Sequence, residues 1–151
     1  ILKKQNTNGR NFMKIMSADL GKARTGVAIS DESESFAFPN CVITEYNEEK
    51  LVLRLADKAK ELGAGLIVVG HPKNMDGSEG ARADRCRDFA RRLSAIAGIP
   101  VAMTDERLTT VAASRYLNET DTRGGKRKNI IDSLSAEIIL QNTLDRLKNM
   151  N

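Results

Sequence analysis

The run Leu66-Ile67-Val68-Val69-Gly70 constrains the fold more than any other segment, because it is continuously apolar. A strand with one face in water alternates apolar and polar side chains, whereas a strand that is covered on both faces does not. The run therefore predicts a buried parallel strand over residues 66–70. A buried parallel strand in turn requires helices on both faces of its sheet, which limits the chain to α/β architectures.

Upstream of this strand, the sequence predicts three short strands, over residues 15–18, 25–30 and 36–44. Gly21 allows a tight turn between the first two. Pro39 has no amide hydrogen to donate to a neighbour, so the third strand belongs at an edge of the sheet or at a bulge. We expect these three strands to form an antiparallel meander.

Downstream, helical and strand patterns alternate. Apolar residues at helical spacing predict a helix over residues 48–62 that ends at Gly63, and a second helix that is capped by Ser78 and ends near Gly98. The remaining predicted elements are a strand at 99–104, a helix at 110–117 and a last helix at 129–147. The whole pattern predicts an α/β fold with a mixed five-stranded sheet flanked by helices, in which the first strand is central.

Length and composition indicate a single domain. A chain of 151 residues suits one hydrophobic core. Residues 1–12 lack the features of a secretory signal and are interpreted as a leader or tag remnant, which leaves residues 13–151 as the domain. No apolar run is long enough to span a membrane, and two cysteines without a spacing motif suit the reducing cytoplasm, so we expect a cytoplasmic protein without a membrane partner.

The net charge is weaker evidence for nucleic-acid binding than the local clustering of basic residues is. Three of the 24 basic residues lie in the leader, so residues 13–151 carry 21 basic against 20 acidic residues, a net charge of +1. The cationic residues that surround Gly124-Gly125 are more informative, and they predict a loop that reaches a nucleic-acid backbone. These residues are Arg123, Lys126, Arg127 and Lys128. Without other motifs, the same loop would be interpreted as a solvated connector.

Acidic residues fall at three places where the predicted elements converge. Asp19 ends the first strand, Asp105 and Glu106 end the fifth, and Asp132 lies on an otherwise small and apolar face of the last helix. Carboxylates that share a pocket repel each other unless a cation joins them, so the set predicts a site for Mg²⁺ or Mn²⁺. Because adjacent strand residues face opposite sides, only one of Asp105 and Glu106 can join Asp19, and the spacing does not decide which.

Basic residues accompany the acidic ones. Lys22 and Arg24 follow Asp19 in the first turn, and Arg107 follows Glu106. A metal site with nearby cations indicates phosphate chemistry, so we expect these three side chains to contact a nucleic-acid backbone.

Four segments of the sequence resemble, in order, the motifs of the RuvX (YqgF) family. They are residues 19–28 (Asp-Leu-Gly-Lys-Ala-Arg-Thr-Gly-Val-Ala), 68–80 (Val-Val-Gly-His-Pro-Lys-Asn-Met-Asp-Gly-Ser-Glu-Gly), 105–113 (Asp-Glu-Arg-Leu-Thr-Thr-Val-Ala-Ala) and 126–136 (Lys-Arg-Lys-Asn-Ile-Ile-Asp-Ser-Leu-Ser-Ala). The resemblance covers residues 13 to about 147. Two departures are Ser135, where the family commonly has Ala, and His71, where an aliphatic residue is commoner. Neither removes an acidic residue.

The resemblance implies an RNase H-like fold, related to Holliday-junction resolvases. It also implies a metal-dependent cytoplasmic nuclease, usually assigned to maturation of the 5′ end of 16S ribosomal RNA. The family's acidic residues carry over to Asp19, Glu106 and Asp132, which selects Glu106 over Asp105.

Several alternative functions are weighed against this one. An ATP-binding phosphotransferase of the actin-like superfold also begins with Asp-x-Gly after its first strand, but it needs two such domains. A nucleic-acid-binding module without catalysis would not need three acids. A Holliday-junction resolvase acting on branched DNA makes two symmetric cuts and hence needs a homodimer, whereas trimming of structured RNA does not. With no Trp and two Tyr, an extensive base-stacking surface is not expected.

Overall fold

The computed structural model describes residues 12–21, 23–71, 81–105 and 124–148, and within these ranges the side chains of all but residues 71, 81–83, 105 and 124–132. Eight elements follow one another along these segments. They are β1 (Lys14–Leu20), β2 (Arg24–Ser30), β3 (Ala37–Thr44), α1 (Glu48–Leu62), β4 (Ala64–His71), α2 (Ala81–Ala97), β5 (Val101–Asp105) and α3 (Gly124–Lys148). The predicted helix at 110–117, the cap at Ser78 and most of the predicted leader lie outside the described residues.

The five strands form one mixed sheet in the order β3-β2-β1-β4-β5. β2 runs antiparallel to both β1 and β3, whereas β4 runs parallel to both β1 and β5. The meander, the buried parallel strand and the central place of β1 are therefore confirmed. β1 separates the antiparallel half of the sheet from the parallel half.

Pro39 shows both features that the sequence predicted for it. β3 is an edge strand, and its pairing with β2 shifts register where Val27 pairs with Cys41 but Ala28 pairs with Pro39. The missing amide hydrogen of proline is tolerated at an edge and at a bulge, because neither position needs it for a ladder hydrogen bond.

The last helix begins earlier than the sequence predicted. α3 starts at Gly124, so Lys126, Arg127 and Lys128 belong to its first turns, and the prediction of a basic loop at these positions is wrong. Lys and Arg are good helix formers, which lets the helix extend through them. The glycines that suggested a loop occupy the first two helical positions.

Two apolar cores cover the two faces of the sheet. On one face, Met16, Ala18 and Val69 pack with α1 and α2. α1 ends as predicted at Gly63, whose φ of 70° lies in the left-handed region that glycine adopts without strain. On the other face, four residues of the sheet pack against four residues of α3. The sheet residues are Ile15, Ala28, Ala37 and Val68, and the helix residues are Ala136, Ile139, Leu140 and Leu144.

The contacts of α3 fix its direction over the sheet. The Ser17 hydroxyl donates a hydrogen bond of 2.7 Å to the main-chain oxygen of Ala136. Further along α3, the Gln141 side chain accepts a hydrogen bond from the main-chain amide of Ala37 on β3. Ala37 pairs with Ser30 on β2, and the Ser30 hydroxyl accepts a hydrogen bond from the main-chain amide of Ile15 on β1. Gln141 therefore lies near the start of β1. Moving forward along α3 therefore matches moving backward along β1, so the two elements are antiparallel.

None of the helices in the described part of the chain combines the length and the apolar character that crossing a lipid bilayer requires.

Candidate active site

Asp19 lies near the carboxyl end of the central strand. Side chains alternate between the faces of a strand, so Asp19 is on the same face of β1 as Ser17, the face that α3 covers. Its side chain is half-buried. In open α/β sheets, binding sites form at the carboxyl ends of strands where the connections change direction. Asp19 occupies such a place, since β1 borders both halves of the sheet.

The turn after Asp19 requires a glycine. A Cβ atom at Gly21 would lie 2.5 Å from the main-chain oxygen of Arg24, closer than non-bonded atoms approach. This observation confirms that the turn is closed to larger residues. The turn also brings Arg24, the first residue of β2, to the end of the sheet at which Asp19 lies.

α3 brings the backbone of Asp132 toward the same end. Asp132 precedes Ala136 by four residues, about one helical turn. Because α3 runs antiparallel to β1, this turn lies beyond Ser17 in the direction of Asp19. The first strand and the last helix thus place the two predicted ligand positions at one end of the sheet, although the Asp132 side chain is outside the described set.

The strand β5 ends at this end of the sheet as well. Gly70 pairs with Thr104, and the pairing of Ala18 with Val69 puts Gly70 in line with Asp19. Thr104 is buried. Glu106, the third predicted ligand, lies just outside the described residues.

Of the residues that the sequence predicts to contact phosphate, the structure describes only some. Arg24 is half-buried, and Lys126, Arg127 and Lys128 are placed by their backbones in the first turns of α3. Lys22, Arg107 and Arg123 lie outside the described residues.

Among the side chains that the structure describes, no three of the types His, Cys, Asp and Glu lie close enough together to hold a metal ion. Only one of the three predicted ligands, Asp19, belongs to that set. The chemistry of the predicted set nevertheless suits Mg²⁺ or Mn²⁺, since both ions prefer carboxylate oxygens and retain water in part of their coordination sphere.

Two buried serines, neither of them among the predicted site residues, lie on the elements that carry Asp19 and Asp132. Ser17 is fully buried in β1 and links that strand to α3 through Ala136. Ser135 is fully buried in α3, and its hydroxyl has no hydrogen-bond partner among the residues that the structure describes. A serine within an apolar strand or on the apolar face of a helix is the only signal that could have identified either residue, and that signal does not reveal a partner.

Glu137 is a further acidic residue of α3, five positions after Asp132. It is half-buried, and burial raises the pKa of its carboxyl group. A carboxylate that loses hydration without gaining a partner shifts its pKa in this direction.

A comparison with solved structures supports the fold. The chain is similar to RuvC of T. thermophilus in complex with a Holliday junction substrate, with a TM-score of 0.58 and 12% identity over 91% of this chain and 97% of that one. It is also similar to the fowlpox virus Holliday junction resolvase, with a TM-score of 0.54 and 14% identity over 87% and 99% of the two chains. At these identities the likeness shows the fold, which is RNase H-like as expected.

A comparison with curated sequences identifies much closer relatives. A protein of Cereibacter sphaeroides (strain KD131), named "Putative pre-16S rRNA nuclease", is 46% identical over 132 residues, which cover 85% of this chain and 81% of that protein. A protein of Streptococcus thermophilus with the same name is 42% identical over 139 residues, which cover 89% and 99%. The model of a family described as "RuvX: Holliday junction resolvase" matches residues 13–146. The chain therefore belongs to the RuvX family of nucleases.

Proposed function

We propose that this protein is a divalent-metal-dependent endonuclease that hydrolyses phosphodiester bonds in the cytoplasm, and that its substrate is the precursor of 16S ribosomal RNA. The observation that carries the proposal is the convergence of β1 and α3, which brings Asp19 and the backbone of Asp132 to one end of the sheet. The names of the relatives support the choice of RNA.

Glu106 completes the proposed ligand set. Asp19, Gly70 and Thr104 are in line across three strands. Side chains two apart on a strand point to the same face of the sheet. Because Thr104 is in line with Asp19, continued alternation would put position 106, and not position 105, on the face that carries Asp19. This argument agrees with the family resemblance, which also selects Glu106.

Asp19, Glu106 and Asp132 would hold Mg²⁺ or Mn²⁺. When bound, such ions activate a water molecule and neutralise charge on the phosphate and on the leaving oxygen. Three cationic side chains would position the phosphate: Arg24 begins β2, Lys22 follows Gly21 in the sequence, and Arg107 follows Glu106. Arg123, Lys126, Arg127 and Lys128 would hold the backbone further from the scissile bond, where contacts to phosphate fix the register without reading sequence.

A second candidate function is the resolution of Holliday junctions. The description of the matching family and the fold shared with RuvC favour it. Because resolution requires two symmetric cuts, this function also requires a homodimer whose two sites face the two strands.

One experiment separates the two functions. The same protein preparation is given Mn²⁺ and either precursor 16S RNA or a four-way DNA junction, with the Asp19→Asn variant as the inactive control. We expect wild-type protein to shorten the 5′ end of the RNA and to leave the junction intact. Paired symmetric cuts in the junction, made by a dimer in solution, would replace the RNA assignment with resolution. Equal cleavage by wild type and Asp19→Asn would contradict the site itself.

A further inference from the structure

A cavity of about 540 Å³ opens at the carboxyl end of β1, on the opposite face of the sheet from α3. Its lining includes Leu20 and Gly21, the two residues that follow Asp19. A larger cavity of about 620 Å³ lies at the other end of β1, against Met13 and Lys14, and is remote from Asp19. Only the first cavity therefore adjoins the candidate active site, and its volume is in the range of small-molecule sites.

Within the described residues, the floor of the cavity is apolar. Leu51 of α1 and Phe89 of α2 are buried core residues that line it, and Leu20 packs against the same core. An apolar floor favours a flat, weakly polar group over a hydrated ion.

Tyr46 stands at the rim. It follows β3, lines the cavity and has 82% of its surface exposed, which is the largest value among the large hydrophobic residues that the structure describes. An aromatic ring that gains nothing from core packing is available for stacking with a nucleobase, and such stacking tolerates any base because every base has a π-face.

Among the described residues that line the cavity, one cation has no anionic partner. Two carboxylates line it, but each has an arginine partner: Glu45 Oε1 lies 3.5 Å from Arg54 Nη1, and Glu48 Oε2 lies 3.1 Å from Arg92 Nη2. Arg85, on α2, also lines the cavity and is exposed, and it has no ion-pair partner among the described residues. The rim therefore offers one positive charge beside an exposed aromatic ring.

We propose that this cavity is a nucleotide subsite, in which an unpaired base adjacent to the scissile bond stacks on Tyr46 while a phosphate of the same strand contacts Arg85. The proposal rests on the proposed nuclease function. Asp19 and Leu20 are consecutive and face opposite sides of the sheet, so a strand that crosses the edge of β1 at Gly21 passes from the active site into the cavity. A base within a duplex is already stacked, so the subsite selects substrates with a single-stranded flank.

Fluorescence of 2-aminopurine tests the proposal independently of catalysis. An RNA hairpin with a single-stranded flank carries the fluorophore at one position of the flank at a time, so that the end of the duplex fixes the register, and binding is measured without divalent metal. The protein contains no Trp, so its own fluorescence does not interfere. We expect strong quenching at one position, retention of that quenching in Tyr46→Phe, and its loss in Tyr46→Ala with about a tenfold weaker Kd, the size expected for one stacked base.

Arg85→Ala should weaken binding of the same RNA and reduce its salt dependence without moving the quenched position. Arg91→Ala is the matched control, because Arg91 is exposed on the same helix but pairs with Asp88 at 3.7 Å and does not line the cavity. Melting temperatures of all variants should match that of wild type, since each changed side chain is exposed at the surface.

The outcomes distinguish this proposal from the nuclease assignment. Uniform quenching at every position, or equal quenching by wild type and Tyr46→Ala, overturns the subsite even if the protein cleaves RNA. Position-specific quenching that depends on Tyr46, in a protein that cleaves neither RNA nor junctions, supports the subsite and overturns the nuclease function. A preference for fully paired RNA over RNA with an unpaired flank also overturns the subsite.

Discussion

The hydroxyl of Ser17 donates a 2.7 Å hydrogen bond to the main-chain oxygen of Ala136, a residue that follows it by 119 positions. The bond is buried and joins the first strand to the last helix. Asp19 lies two residues after Ser17 on β1, and Asp132 lies four residues before Ala136 on α3, so both acidic positions lie beyond the bond toward the same end of the sheet. The relative position of the two predicted ligands therefore depends on this contact.

Replacement of Ser17 by Ala should lower both stability and activity. Loss of one buried hydrogen bond costs about 1 kcal/mol of unfolding free energy. Urea unfolding measures this loss, and cleavage of RNA measures the accompanying displacement of α3. Ser94→Ala is the control, because the Ser94 hydroxyl donates a comparable bond of 2.9 Å to the Ile99 oxygen, away from the site. Ser94→Ala should lose stability and keep its activity at saturating metal. Equal activity losses in both variants would contradict a specific role for Ser17.

Ser135→Ala should raise stability. Within the described part of the chain, the buried hydroxyl of Ser135 has no hydrogen-bond partner, and such a group costs about 1–3 kcal/mol. Alanine removes that cost and is also the better helix former. Thermal unfolding should therefore show a higher Tm. Ser133→Ala, on the same helix but only half-buried, isolates the gain from helix propensity alone. A lower Tm in Ser135→Ala would mean that the hydroxyl has a partner, such as a bound water molecule.

Mg²⁺ or Mn²⁺ should raise the Tm of the wild-type protein, because a ligand that binds only the folded state stabilises it. At about a hundredfold excess over Kd, the gain is about 2.7 kcal/mol. Asp132→Asn should reduce this gain and should stabilise the metal-free protein by removing one repelling charge. Asp57→Asn, an exposed acidic residue of α1, should respond to metal as wild type does. An unchanged response in Asp132→Asn would remove Asp132 from the ligand set.

Replacement of Lys126, Arg127 and Lys128 by Ala should weaken nucleic-acid binding across sequences. Because these positions lie in a helix, alanine preserves the local structure. The slope of log K against log salt should flatten by up to about 0.9 for each lost contact on duplex and about 0.7 on single strands. Turnover at saturating RNA should change much less, whereas Glu106→Gln should keep binding and abolish turnover. The triple variant Lys50→Ala/Lys60→Ala/Arg91→Ala removes the same number of positive charges from exposed positions and controls for loss of charge alone. An equal effect on the salt slope in that control would contradict the assignment.

Asp31→Asn should destabilise the protein in a pH-dependent manner. Burial raises the pKa of the Asp31 carboxyl, but hydrogen bonds from the Ser33 hydroxyl and from the amides of Phe36 and Ser35 outweigh burial and lower it overall. A carboxyl group with a lowered folded-state pKa stabilises the fold above its unfolded pKa of about 3.9, and this stabilisation is lost as the pH falls through the folded pKa. The difference in unfolding free energy between wild type and Asp31→Asn should thus be present at pH 7 and vanish at acidic pH. A difference that does not change with pH would contradict this explanation.

The sheet could be predicted from the sequence because its strands differ in apolar pattern. The continuous run at residues 66–70 marked a strand covered on both faces, and Pro39 marked an edge. The start of α3 could not be predicted in the same way. Gly124-Gly125 followed by three cations is typical of a solvated turn. The helix propensity of Lys and Arg does not by itself overcome the two glycines, and the docking of the rest of the helix against β1 to β3 also favours its extension to Gly124.

The candidate site was less predictable than the fold. Spacing alone left Asp105 and Glu106 as alternatives, and the family resemblance selected Glu106. The role of Ser17 was not evident, because the sequence of a strand does not reveal which distant oxygen atom will accept a hydrogen bond from its hydroxyl group. The cavity at Leu20 was also not evident, because segments separated by tens of residues form its walls.

The antiparallel packing of α3 on the sheet also determines when this site can form during synthesis. β1 is made first, and α3 is the last element that the structure describes. Until α3 has left the ribosome, it cannot cover Ile15 and Val68 or bring Asp132 to the end of β1. With the proposed function, the set of acidic positions therefore remains incomplete until the last helix has been synthesised and has docked on the sheet.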